Sequence, residues 1–148
     1  MKLKKGVKWH NGKTFKADDV RFTVNAIKAA GSTSPYYAKA SKIVAVNVTG
    51  TYRCNIYFNN NYNCSLDDLT FPIVPSSQYG SAYQFAQARD EFKPIGTGMY
   101  QYRSYNYLKY LRLNPNKKYF DKEQKAQNKI YVNIIPKRSL AENLMEID

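Results

Sequence analysis

At 148 residues the chain has room for one ordinary domain or one lobe of a larger protein, and too little for a complete multidomain receptor. A hydrophobic share of 43% with 15% aromatic residues, 14 tyrosines among them, argues against disorder. The formal charge of +12 raises a polyanionic partner as a question. Its densest clusters (Lys2, Lys4, Lys5 and Lys8; Lys117, Lys118, Lys122 and Lys125) include no Arg-rich helix that could enter a groove, so they read as solvated faces.

In chain order, Leu3 to Trp9 places apolar residues at odd positions, the period of a half-buried strand, and Asn11-Gly12 supplies a turn. From Ala17 the spacing of Val20, Val24 and Ile27 predicts an amphipathic helix. Asp18 and Asp19 suit the positive end of its dipole, Lys28 suits the other end, and Gly31 stops it. Gly31 to Pro35 reads as a loop leading to Tyr36 and Tyr37. Ile43–Val48 and Tyr52–Phe58 alternate β-branched and aromatic residues and predict a hairpin.

After the Asn59-Asn60-Asn61 tract, Ser65 is expected to cap a short helix over Ser65–Leu69, with Asp67 and Asp68 in its first turn. A buried segment, Phe71 to Pro75, follows. Tyr79, Ala82, Tyr83 and Ala86 fall at helical spacing and predict a second helix over Gln78–Arg89. Met99–Tyr105 and Leu108–Leu113 are expected to pair as strands, and Tyr100 and Tyr102 share one strand face, which suits cross-strand packing. Ile130–Ile135 is the last predicted strand, and Ser139 caps a predicted helix over Leu140–Met145. The apolar pattern of Leu144, Met145 and Ile147 reads as a chain that continues beyond Asp148. The fold class these elements define is mixed α/β (α+β), a mixed β-sheet with flanking helices.

The residues that carry chemistry are sparse. His10 is the single histidine, and a serine or cysteine nucleophile needs a base beside it. At a strand end beside Trp9, His10 reads as a surface or structural residue. Gly96-Thr97-Gly98 lacks the third Gly and the Lys of a phosphate loop. The adjacent pairs Asp18/Asp19 and Asp67/Asp68 sit at helix starts, where the dipole accounts for them without catalysis. Two thiols and one imidazole fall short of a four-ligand zinc site, so no metal, cofactor or catalytic residue is expected. For Cys54 and Cys64 two readings stay open. One is a short-loop disulfide in an oxidising compartment, worth on the order of 3 kcal/mol; the other is a pair of unrelated thiols.

Four motifs, met in order, change the picture. Leu3-Lys4-Lys5-Gly6-Val7-Lys8-Trp9-His10-Asn11-Gly12-Lys13-Thr14-Phe15-Lys16-Ala17-Asp18-Asp19-Val20 resembles the hallmark segment of the peptide/nickel class of extracellular solute-binding proteins. Pro94-Ile95-Gly96-Thr97-Gly98-Met99-Tyr100 is similar to that family's strand start, with Met99 where proline is usual. Leu113-Asn114-Pro115-Asn116 with Tyr119-Phe120, and Ile134-Ile135-Pro136 through Glu146-Ile147-Asp148, match two further family patterns. Lys16, where a capping Thr or Ser is common, and Met145, where Gly often stands, depart from them.

What the resemblance implies is a two-lobed, periplasmic-binding-protein-like receptor that closes on a peptide or other small solute and docks on an ABC permease. The chain would then be part of the N-terminal lobe: residues 1–94 its smaller subdomain, 95–148 the beginning of the larger one, truncated at its C-terminus. The parent would be extracellular or periplasmic and anchored as a lipoprotein, with a signal upstream, since Met1 to Lys5 lacks a signal peptide's apolar run. The implied protein is no enzyme, has no nucleic-acid partner, and as this piece is a monomer. Tyr36, within Ser34-Pro35-Tyr36, is the one site residue carried over from the peptide-binding branch. Two other readings compete: a basic nucleic-acid-binding module and a cell-surface interaction domain.

Overall fold

The computed structural model describes residues 1–59, 65–87 and 93–135. It divides into two compact units, Met1–Thr97 and Gly98–Asp148. The predicted helix over Leu140–Met145 with its Ser139 cap lies outside the described residues, as does Cys64.

The first unit is organised by helix α1, Ala17–Ala30. Its buried face, with Ala17, Val20, Val24 and Ile27 among its members, follows the three-and-four spacing seen in the sequence. Gly31 ends the helix at φ 58°, in the range that favours glycine. Against this face packs the hairpin of β1, Ile43–Gly50, and β2, Arg53–Phe58. Ile43, Val46 and Cys54 join the helix residues with Ala40 and Phe71 in one core. The turn falls at Thr51-Tyr52, so Tyr52 lies in the turn and not in the alternation of a strand, as the sequence had suggested.

The opening segment keeps the predicted alternation but not the predicted strand. Val7 and Trp9 are buried while Lys4, Lys5 and Lys8 are exposed. Gly6 at φ 80° turns the chain in the middle, leaving only isolated bridges, Lys2 to Arg53 and Lys8 to Thr14. Asn11-Gly12 forms the expected turn, with the Gly12 amide donating to the Trp9 carbonyl at 2.8 Å.

Ser65 caps Leu66–Leu69 as the sequence suggests, though the element is a 3-10 helix. The Asp68 carboxylate receives the Ser65 amide at 3.0 Å and the Lys42 ammonium at 2.9 Å. Neighbouring Asp67 accepts from Lys39, and that hydrogen bond, aided by the ammonium charge, holds its carboxyl below the usual range. With its folded pKa the lower one, the pair's contribution is present above the ordinary Asp value and is lost as pH falls through the folded value.

The second predicted helix is shorter and differently phased. Ser76–Gln78 is a 3-10 turn, and α3 covers Ala82–Gln87, with the Ser81 hydroxyl accepting from the Gln84 amide at 3.1 Å. That restart swings Tyr83 out to 66% exposure and turns Phe85 inward. Phe85 packs 4.4 Å from Tyr79 and 6.1 Å from Phe22 on α1, ring centre to ring centre. Residues 88–89 of the predicted span lie outside the described residues.

The second unit is an antiparallel sheet of β3 (Tyr100–Asn106), β4 (Tyr110–Pro115) and β5 (Ile130–Asn133), in that order. Leu108, read from its apolar character as the start of a strand, is instead the turn residue at φ 53°. A register shift between Tyr102 and Ser104 inserts one residue, so Tyr100, Tyr102 and Tyr105 all share the face of Leu111, Leu113, Ile130 and Val132. On the opposite face the Arg112 guanidinium lies 4.2 Å from the Tyr110 ring centre and 5.5 Å from that of Tyr131. Asn116 ties the turn after β4 to the start of β3. Its side-chain amide donates to the Gly98 carbonyl at 2.9 Å, its backbone amide donates to the Met99 carbonyl at 2.8 Å, and its side-chain oxygen accepts from the Lys118 amide. The Gly-Thr-Gly and Asn-Pro-Asn motifs are thus two halves of one structural joint.

Candidate functional site

Tyr36 sits at the start of α2, Tyr37–Ala40, reached from α1 through the 3-10 turn Gly31–Thr33. The short path is tightly bonded: the Thr33 hydroxyl donates to the Ala30 carbonyl at 2.6 Å, and the Ser34 hydroxyl accepts from the Tyr36 amide at 3.3 Å. Pro35 fixes the backbone just before the tyrosine. The Tyr36 carbonyl accepts from the amides of Lys39 and Ala40. Its ring is 36% exposed beside Tyr37 at 39%, and no hydrogen bond to its phenol is seen among the described residues. The ring thus stands at the surface on a well-bonded backbone.

Two open depressions lie elsewhere on the first unit. One, of about 420 Å³, runs along the outer face of the hairpin past Val44, Ala45, Asn47 and Tyr57. The other, of about 430 Å³, lies at the start of α1 between Lys13, Lys16, Asp18, Asp19 and Ser76. Neither is lined by Tyr36.

In the second depression the two adjacent acids have separate structural roles. Asp18 pairs with Arg21 at 2.6 Å on the surface. Asp19 is 3% exposed, and its carboxylate accepts four hydrogen bonds. The Trp9 indole N–H (3.0 Å) and the Lys16 amide (2.9 Å) reach Oδ2, while the Ser76 amide (2.9 Å) and hydroxyl (2.6 Å) reach Oδ1. Beside it the Thr23 hydroxyl donates to the Asp19 carbonyl and accepts from the Val74 amide at 3.0 Å. Lys16 stands at the helix cap without a capping side chain, and the Asp19 carboxylate takes over by binding the Lys16 amide. Nothing in the sequence hints at this convergence beyond an acid at the third helical position.

His10 is structural. Its Nδ1 accepts the Gly96 amide at 3.1 Å and its own amide donates to the Gly96 carbonyl at 2.9 Å, a two-point clamp across 86 positions. Cys54 is wholly buried and carries a free thiol, whose pKa burial raises. The thiolate fraction at neutral pH is therefore small, and Cys54 is expected to react with a thiol reagent only when the chain unfolds. Mixing a Cys64→Ser variant, native and urea-unfolded, with a chromogenic disulfide reagent checks this; an equally fast native reaction would contradict the burial. Among the described residues no group of three or more His, Cys, Asp or Glu side chains is placed to hold a metal ion. No helix among them is long and apolar enough to cross a membrane.

The described residues form a helix-anchored hairpin and a tyrosine-rich antiparallel sheet. The profile of the bacterial extracellular solute-binding proteins, family 5 (middle region), matches residues 1–146, and the chain belongs to that family. The oligopeptide-binding protein AppA of Bacillus subtilis is 30% identical over 128 residues, covering 82% of this chain and 23% of that protein. The peptide transport periplasmic protein SapA of Haemophilus influenzae is 26% identical, over 94% of this chain and 32% of its own. The chain therefore spans about a quarter to a third of the curated relatives it matches.

Solved structures share the fold. NikZ from Campylobacter jejuni in complex with Ni(L-His) superposes with a TM-score of 0.85 at 24% identity, over 99% of this chain and 29% of that one. AppA from Bacillus subtilis in complex with a nonapeptide does so at 0.76 and 26% identity, over 99% and 30%. The architecture is thus that of the periplasmic-binding-protein-like receptors, a mixed α/β fold.

Proposed function

We propose that this chain is part of the substrate-binding component of an ABC importer, which captures peptides or a related small solute outside the membrane and delivers them to a permease. The observation that carries the reading is the family match across residues 1–146, joined to 30% identity with an oligopeptide-binding protein. In this reading residues 1–94 belong to the smaller subdomain of the first lobe and residues 95–148 begin the larger one. The parent lies in the periplasm or outside the cell, held by a lipid anchor, and this portion is monomeric. Its work is reversible capture without bond chemistry: a cleft between two lobes closes by hinge motion and opens at the permease.

Tyr36 is the residue of this chain assigned to the ligand, on its exposed ring, its open phenol and its Ser-Pro-Tyr setting. In the full-length parent, Tyr36→Ala is expected to weaken peptide binding about tenfold, the cost of truncating one aromatic contact. Tyr36→Phe should retain most of the affinity if the ring makes the contact. Isothermal calorimetry with a defined peptide pool measures both, and an affinity unchanged in Tyr36→Ala would remove the residue from the site.

A further inference from the structure

We infer that Lys39 is the positioning residue for Tyr36: its side chain ties the helical turn beside the tyrosine to the 3-10 helix Leu66–Leu69. This role rests on the ligand contact proposed for Tyr36 and concerns what holds that residue in place.

A four-residue helix such as α2 closes too few hydrogen bonds to persist by itself. Its place must come from contacts beyond it. Tyr36, Tyr37 and Ala38 are exposed, whereas Ala40 is fully buried in the core of the first unit and the Lys39 side chain is 30% exposed. A buried methyl group fixes one point of the turn and leaves its orientation open. Lys39 supplies the second point.

An ammonium carries three N–H donors, and three oxygens answer that of Lys39. They are the Asp67 carbonyl at 3.0 Å, the Asp67 carboxylate at 3.1 Å and the Thr70 hydroxyl at 2.7 Å. These acceptors are themselves held. The Thr70 hydroxyl donates to the Asp67 carbonyl at 2.6 Å, the buried Asp68 carboxylate binds the Ser65 amide and the Lys42 ammonium, and Leu69 packs against the core. At its other end Lys39 reaches the tyrosine directly, since its backbone amide donates to the Tyr36 carbonyl at 3.1 Å. One residue thus spans from a fixed base to the residue that carries the ring. A solvent-facing ion pair alone would do little, because water and salt screen it. Two of the three acceptors here are uncharged, so the tie does not reduce to such a pair.

The test uses the full-length parent, with amide hydrogen exchange read by mass spectrometry over residues 36–41 and affinity read by calorimetry with a defined peptide pool. In Lys39→Met, which keeps the stem and loses the donors, exchange over that segment is expected to rise about tenfold while α1 keeps its rate. Affinity should fall about fivefold, but by less than about 1.5-fold where Tyr36→Ala is already present, because the tie acts through that residue. Thr70→Val removes one acceptor at nearly constant volume and should cost about twofold in affinity, which keeps the test open if Lys39→Met folds poorly. Unchanged exchange in Lys39→Met, or a fivefold loss that persists beside Tyr36→Ala, would overturn the inference. Faster exchange together with an affinity that Tyr36→Ala leaves unchanged would instead remove the ligand reading and leave the tie standing, so the two fail separately.

Discussion

Replacing Asp19 by alanine is expected to destabilise the fold by about 4 kcal/mol, because the substitution strands four donors at once. The carboxylate joins three chain segments that are distant in sequence: Trp9, the start of α1 and Ser76. Each buried donor left without an acceptor costs about 1–3 kcal/mol, and the more accessible Ser76 recovers part of its loss from water. Asp19→Asn keeps the shape but presents an N–H toward donors, so about half the loss is expected. Urea unfolding monitored by fluorescence measures both variants, and Trp9, the only tryptophan, sits on the network itself. A loss under about 1 kcal/mol in Asp19→Ala would show that water replaces the carboxylate and that the hub does not hold the three segments together.

Ile43→Ala is expected to cost about 3–4 kcal/mol through a cavity at the junction of α1 and the hairpin. Ile43 is fully buried, opens β1, and packs in the cluster with Val24, Ile27 and Ala40. Its backbone is held as well, since the Ile43 carbonyl accepts from Lys28 and the residue pairs with Phe58 across the hairpin. With its backbone pinned on both sides, the strand start cannot collapse into the space that three lost carbons leave. Ile43→Val removes a single methylene and should cost about 1 kcal/mol. The ratio of the two losses, read from the same unfolding curves, separates cavity formation from a general loosening of the hairpin. Equal small losses in both variants would place Ile43 outside the core.

The contrast between these two residues shows what the sequence could convey. Ile43 was legible as a strand residue and the α1 apolar residues as one helix face because their periodicity is local. Gly31, Asn11-Gly12 and Ser65 were legible as punctuation because turn and cap chemistry is written in one or two residues. Asp19 was legible only as an acid suited to a helix start, since its partners Trp9 and Ser76 are ten and 57 positions away. For His10 the same limit applied: a surface or structural role was expected from its setting, but not its clamp on Gly96.

The misread positions share a cause. Leu108 and Tyr83 were assigned by apolar character, yet local backbone geometry decides both: a left-handed turn for Leu108, and a helix restarted at Ser81 for Tyr83. The Leu3–Trp9 strand failed at Gly6, where a positive φ breaks the pairing without disturbing which side chains point inward. The ligand contact proposed for Tyr36 depends on surfaces outside this chain, so the sequence could supply its Ser-Pro-Tyr setting and nothing of its partners. The resemblance marked the two sheet motifs, but nothing in it linked Asn116 to Gly98, a bond that only the structure shows.

The central proposal is capture by two lobes, of which this chain contributes one wall. Calorimetry of a single peptide pool against the full-length parent and against residues 1–148 alone tests that directly. The parent should bind with micromolar or tighter affinity, while the isolated chain, folded by circular dichroism, should be at least about a hundredfold weaker because the opposing contacts and the closure that excludes water are missing. Equal affinity in the two would contradict it, since the ligand would then be held by this chain without a second lobe.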